Sequence, residues 1–198
     1  MNLLRVVKSP EELVYVQKAA ELADEALDEA HRLVKNGCDE AELLAAMQGA
    51  VFRGGGDYPS NEFIIGSGGN ALLCRYYSGR RKLSSKDQIT LEWAGAYRHY
   101  HAAMMRTIPV GLATEQHLKM HEVCLEAMEA CELALRPGKA IGEVFDAYAH
   151  SCDSAGMQSH RLNATGYSLG ATFSPNWMDW PMFYHGNQVI AEINMVFF

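Results

Sequence analysis

The sequence predicts an α+β fold in which a helix pair followed by antiparallel strands occurs twice, and three observations predict it. A capped amphipathic helix opens the chain, turn-separated apolar segments follow a second helix, and the helix-helix order then returns with the same glycine punctuation. Gly37 falls on Gly138 and Gly55 on Gly156 at one shift, 101 residues in each case (138 less 37, 156 less 55). At that shift Leu43-Leu44 falls on Val144-Phe145 and Val51 on Cys152, so the apolar face recurs with the turns.

Taken in order, Ser9-Pro10-Glu11-Glu12 supplies an N-cap, a first-turn proline and a capping-box glutamate. Leu13, Val16, Ala19, Leu22 and Leu27 then continue at helical spacing, which predicts a helix from Pro10 to Lys35. Asn36-Gly37 ends it, and Asp39 with Glu42 starts a second helix toward Phe52, closed by Gly54-Gly55-Gly56. Strands are predicted at Glu62–Gly66, Ala71–Tyr77, Gln88–Ala94 and Tyr97–Thr107. Thr114 caps a third helix to Leu135, Arg136-Pro137-Gly138 breaks it, and a fourth ends at Ala155-Gly156. The stretch from Leu162 to Phe198 then carries the second strand set, so residues 1–198 read as a single domain whose two halves close one curved sheet.

Composition narrows the function classes. At 198 residues with 48% hydrophobic content the chain can bury one core. A net charge of -7, with Arg80-Arg81-Lys82 as the densest cationic run, argues against nucleic acid as a partner. Five cysteines without CxxC spacing suit a reduced, cytoplasmic setting, and no apolar run reaches membrane-spanning length. The expectation is a cytoplasmic protein with a small-molecule substrate and neither membrane nor nucleic-acid contact.

Several segments resemble the pita-bread family, which includes methionine and Xaa-Pro aminopeptidases, prolidase, creatinase and ectoine hydrolase. They are Ser67-Gly68-Gly69-Asn70-Ala71 with Arg75-Tyr76, Leu91-Glu92-Trp93-Ala94-Gly95 through Arg106-Thr107, Gly166-Tyr167-Ser168-Leu169-Gly170, and Met195-Val196-Phe197. The resemblance covers the whole chain in order and implies the catalytic domain of that family, the C-terminal one in creatinase-type members. Metal-dependent members hold two divalent ions with two aspartates, a histidine and two glutamates. On this chain the first aspartate position falls on Glu92, the second on Ala103 and the histidine on Tyr167, with a further substrate-facing histidine on Ser174. Both metal glutamates would lie beyond Phe198, which implies a piece of a longer enzyme or one that depends on an oligomer. The resemblance therefore implies no metal and no other cofactor. It is closest to the ectoine hydrolases, through Leu-Glu-x-Ala-Gly, Tyr-His-Ala and Gly-Tyr-Ser-Leu-Gly with Pro175-Asn176-Trp177.

In that frame Glu92 is the catalytic carboxylate, as general base or nucleophile, and alternation along the strands places His99 and His101 on the face of Ala103. His101 is expected to shuttle the proton and His99 to contact substrate. Arg75 offers a guanidinium fork for a substrate carboxylate. Tyr76, Tyr100, Tyr167 and Trp177 are expected to line an aromatic cage for a cationic group. The bland alternatives are an ion pair of Glu92 with Arg75 or Arg106, solvated histidines, and aromatic rings in the core. His117 and His121, one turn apart, read as a solvated helix face. The leading expectation is a metal-independent hydrolase of a C–N bond in a small nitrogenous carboxylate. The rivals are a metal-dependent Xaa-Pro peptidase and a non-catalytic binding or assembly domain. An exposed sheet edge with aromatic-rich strands predicts a homodimer.

Overall fold

The computed structural model describes residues 3–72 and 81–198. Helix α1 (Leu3–Val6) precedes α2 (Pro10–Leu33) and α3 (Glu40–Arg53), and then come β1 (Ile64–Ser67), a 3-10 turn at Gly68–Leu72, β2 (Asp87–Tyr97) and β3 (Tyr100–Val110). The second half runs α4 (Glu115–Ala134), α5 (Gly142–Ser154), β4 (Gly166–Ser168) and β5 (Asp179–Phe183). The chain forms two compact units. One, here the first-repeat unit, comprises Ser9–Ala113 with Leu169–Trp177, and the second-repeat unit comprises Met1–Lys8, Thr114–Ser168 and Met178–Phe198.

In the first-repeat unit, Ser9 and Glu12 form the predicted capping box. Glu12 N–H donates to Ser9 Oγ at 3.3 Å and Ser9 N–H donates to the Glu12 carboxylate at 2.7 Å. The buried row of α2 is Val16, Ala19, Leu22, Ala23, Ala26 and Ala30, spaced three and four apart. Four alanines in that row let the sheet come close. A Cβ added at Gly95 would lie 1.9 Å from the Ala19 carbonyl oxygen, so only glycine fits there. Beside it the Trp93 indole, with no exposed surface, donates Nε1–H to the Ala23 carbonyl at 3.0 Å. Helix α3 is capped by Asp39, whose carboxylate accepts Ala41 N–H at 2.9 Å. Its first residue, Glu40, is buried and accepts Ser67 N–H at 2.9 Å and Ser67 Oγ–H at 2.6 Å.

The sheet of this unit has the order β1-β2-β3, antiparallel throughout, with Ile64 opposite Glu92 and Ala94 opposite Ala103. The predicted strands at Gln88–Ala94 and Tyr97–Thr107 are one longer hairpin. Arg98 and His99 form its two-residue turn at φ 52° and 65°, a geometry that matches the right-handed twist of the flanking strands. His99 is therefore a turn residue rather than a strand residue. The strand predicted over Ala71–Tyr77 opens in the 3-10 turn, and its remainder lies outside the described residues.

The second-repeat unit repeats the plan with different side chains. Thr114 Oγ1 accepts His117 N–H at 3.2 Å, and His117 Nδ1 accepts Thr114 N–H at 3.2 Å. Histidine thus takes the part that Glu12 takes in α2. Strand β4 pairs antiparallel with β5, and Ser168 also bridges Phe197. The duplication is visible in backbone detail. Gly37 and Gly138 take φ of +84° and +87°, and Gly55 and Gly156 take +83° and +75°. Gly37 N–H donates to Leu83 O while Leu83 N–H donates to Cys38 O, each at 2.8 Å. Gly138 and Ala191, with Lys139, make the same two bonds at the same 2.8 Å. Among the described residues no helix is long and apolar enough to cross a membrane.

Candidate active site

Cross-strand partners share a face, so the register of β2 and β3 sorts the side chains without ambiguity. Ile89, Leu91, Trp93 and Gly95 face α2, and the first three have no exposed surface. The opposite face carries Thr90, Glu92, Ala94 and Ala96 with Thr107, Met105, Ala103 and His101 across from them. The Thr90 and Thr107 hydroxyls meet at 3.3 Å, as same-face partners should. Glu92 is half-buried, flanked by Ile64 on one strand and Met105 on the other. Arg106 pairs with Leu91 on the other face, so the strand geometry does not aim it at Glu92. Among the described residues of β2 and β3 on this face, Glu92 is the single acid.

His101 sits on the same face but opposite Ala96, four residues along β2 from Glu92. At the rise of a strand that is roughly 13 Å along the sheet, beyond any hydrogen bond between the two. Its ring is fully buried. Nε2 accepts Ser60 N–H at 2.9 Å, which leaves Nδ1 to carry the proton 3.1 Å from Thr172 Oγ1. Burial holds this imidazole below the usual histidine range, partly offset by its backbone hydrogen bonds. Ser60 Oγ in turn donates to the Thr172 carbonyl at 2.8 Å. His101 N–H donates to Gly170 O and Thr172 N–H to His99 O, each at 3.1 Å. One neutral histidine therefore joins three segments, the Ser60 loop, β3 and the 170–172 stretch. As placed, both ring nitrogens are occupied by the protein, and the expected Glu92-to-His101 proton relay is not assembled.

The other candidates also find positions. His99 stacks on Phe173 at 4.6 Å between ring centroids, and its backbone N–H donates to Asp57 at 3.1 Å. Tyr100 turns toward α2, where its hydroxyl donates to Glu12 Oε1 at 2.8 Å and its ring lies 5.5 Å from that of Tyr15. Burial, with the adjacent Glu12 carboxylate, pushes the Tyr100 phenol up to about 12. Trp177 is 1% exposed and belongs to the core of the first-repeat unit. Tyr167 is buried in the second-repeat unit against Phe198, 5.0 Å between centroids. Trp177 is thus a packing residue, and Tyr100, half-buried, has its hydroxyl committed to Glu12. Arg75 and Tyr76 lie outside the described residues. Ser60, Thr172 and Phe173 were not singled out from sequence, because polar partners of a buried ring carry no periodic signal.

On the sheet, the neighbours of Glu92 on its own face are Thr90, Ala94, Ile64 and Met105, and among the described residues no group of three or more His, Cys, Asp or Glu could hold a metal ion.

The profile of Metallopeptidase family M24 matches residues 15–198. A Xaa-Pro dipeptidase of Pyrococcus furiosus is 25% identical over 193 residues, 98% of this chain and 54% of that protein. A Xaa-Pro aminopeptidase of Escherichia coli is 30% identical over 142 residues, 71% of this chain and 32% of that protein. In three dimensions the chain matches the prolidase from Pyrococcus furiosus with a TM-score of 0.92 at 24% identity, over 99% of this chain and 57% of that one. The architecture is accordingly the pita-bread α+β fold. This chain spans about half the length of the Xaa-Pro dipeptidases it matches.

Proposed function

Since the chain belongs to metallopeptidase family M24, we propose that it forms part of a hydrolase that cleaves the C–N bond of a small Xaa-Pro-type peptide, with Glu92 as its reactive carboxylate. The observation that supports this most is that the likeness to Xaa-Pro dipeptidases runs over 98% of the chain, including the strand that bears Glu92. Glu92 is suited to take a proton from water as the water oxygen bonds to the scissile carbonyl carbon. The C–N bond then breaks, and the departing nitrogen receives the proton that Glu92 took from the water, which returns the carboxylate to its starting state. His101 acts as a positioning residue that fixes the Ser60 loop and Thr172, not as the proton carrier.

A second reading rests on one observation, the alanine at position 103, which lies diagonal to Glu92 and opposite Ala94 and can ligate nothing. It favours hydrolysis of a C–N bond in a small nitrogenous carboxylate, such as a cyclic amidine, by the carboxylate without metal. A charged amidine would meet Glu92 through two parallel hydrogen bonds.

The deciding experiment follows both substrate classes with the purified protein, with and without chelator and added Mn²⁺ or Co²⁺. Hydrolysis of Xaa-Pro dipeptides supports the first reading. Chelator-insensitive turnover of the amidine and none of the dipeptides supports the second. Turnover of neither, with specific binding of one, returns the third possibility of a non-catalytic binding domain.

A further inference from the structure

Helix α5 carries polar side chains that its counterpart α3 does not. At the shift of 101 residues, Asp146, His150 and Asp153 fall on Ala45, Gly49 and Phe52, so the helix position itself does not call for charge. The three are spaced four and three apart and share one face of α5. That face lines a cleft of about 570 Å³ which lies wholly in the second-repeat unit. Its volume is in the range of small-ligand sites, roughly 300–1,000 Å³. Phe145 and Ala149, both buried, form its apolar floor.

The two ends of the cleft differ in charge. At one, His185 donates Nδ1–H to Asp146 Oδ1 at 2.7 Å, which leaves Oδ2 without a partner among the described residues. Two helical turns on, Arg161 clasps Asp153, from Nε to Oδ1 at 2.6 Å and from Nη2 to Oδ2 at 3.0 Å. The guanidinium is held 5.7 Å from the Phe145 ring centroid, on a side chain 15% exposed. A guanidinium has five N–H donors and Asp153 takes two, so the pair fixes the Nη1 edge without consuming it. His150, one turn before Asp153, and Asn163 add donors to that end.

A free acceptor at one end and free donors at the other, across an apolar floor, complement an ammonium, an apolar body and a carboxylate in that order. The spacing selects the length. Asp146 and Asp153 are seven residues apart (153 less 146), which is ~10.5 Å along a helix. A two-residue peptide extends about 7 Å, and a hydrogen bond of about 2.8 Å at each end brings its reach to about 12 to 13 Å. A single amino acid carries both charges on one carbon and falls short. We propose that this cleft binds a short zwitterionic peptide, a dipeptide whose ammonium meets Asp146 and whose carboxylate meets Arg161. Its apolar side chain lies over Phe145 and Ala149, beside the exposed ring of Tyr184. The cleft belongs to one unit and Glu92 to the other, so the inference is independent of the reading of Glu92.

The test titrates the purified protein by calorimetry with Ala-Phe, a dipeptide without proline, beside N-acetyl-Ala-Phe and Ala-Phe amide. Ala-Phe is expected to bind and to slow amide exchange in α5 and around His185. Removal of either terminal charge is expected to weaken binding at least about tenfold. Asp146→Asn is expected to weaken Ala-Phe to the level of the acetylated peptide and to leave the affinity for the acetylated peptide unchanged. That pattern reports contact with the ammonium, whereas a general loss of structure would weaken both peptides. No binding of Ala-Phe at millimolar concentration would overturn the proposal. So would an affinity that Asp146→Asn leaves unchanged, because the peptide would then sit elsewhere.

Discussion

Helices α2 and α4 start the two repeats with the same kind of cap and run to matching glycine turns, yet α2 buries six residues and α4 two. The local code is the same in both. The difference is whether a strand pair lies across the helix, and it teaches that capping and periodicity decide where a helix forms, whereas burial is decided by its tertiary neighbour. The alanine row of α2 is matched to backbone contact with Gly95, and the larger Met120 and Cys124 of α4 are not.

The sharpest way to break this comparison is to disturb the helix-sheet contact on one side only. Gly95→Val should destabilise the protein by at least about 3 kcal/mol, because the new side chain meets the Ala19 carbonyl and neither backbone can yield. Cys124→Val on the equivalent face of α4 should stay within about 0.5 kcal/mol. Urea unfolding of both variants measures the contrast, and equal effects would refute it.

A smaller effect is expected at His101. His101→Leu removes the acceptor for the buried Ser60 N–H and the partner of Thr172, at a cost of about 2 kcal/mol. The pH dependence follows from burial, which depresses the folded imidazole below its ordinary range. Unfolded histidine binds a proton near pH ~6.5 while the folded ring stays neutral, so this contribution is present above that pH and is lost as pH falls below it. The Leu variant should show a flatter decline in stability from pH 6.5 toward 5, measured by thermal melts across that range. The smallest effect sharpens what the two helices share. Ser9→Ala and Thr114→Ala each remove an N-cap acceptor and should cost about 1 kcal/mol apiece.

Much of the fold was legible because it is written in local signals. The Ser9 and Thr114 caps, the Asp39 cap and the glycine breaks placed all four long helices within a few residues, and the shift of 101 paired them. The hairpin turn at Arg98-His99 was not legible, because the pair is not one of the Asn-Gly, Asp-Gly or Gly-Gly dipeptides that mark such turns. Simple alternation put Glu92 on one face with Thr90 and Ala94, away from Ile89, Leu91 and Trp93, as the strand register has it. His101 shared that face, but alternation carries no information on distance along a strand, and its partners Ser60 and Thr172 come from remote segments. Trp177 went to the core and Tyr100 to a half-buried place beside Glu12, because an aromatic residue serves packing and a cage equally well in sequence.

The account depends most on Glu92 being chemical and not structural. The direct measurement is the rate of Xaa-Pro dipeptide hydrolysis by Glu92→Gln beside the unsubstituted protein, with thermal melting on the same samples. The amide keeps the size of the side chain and removes its charge. Turnover should fall at least ~100-fold, the low end for loss of a general base, with the melting temperature retained. A lowered melting temperature with near-normal turnover per folded molecule would contradict the proposal and make Glu92 a structural partner in its sheet.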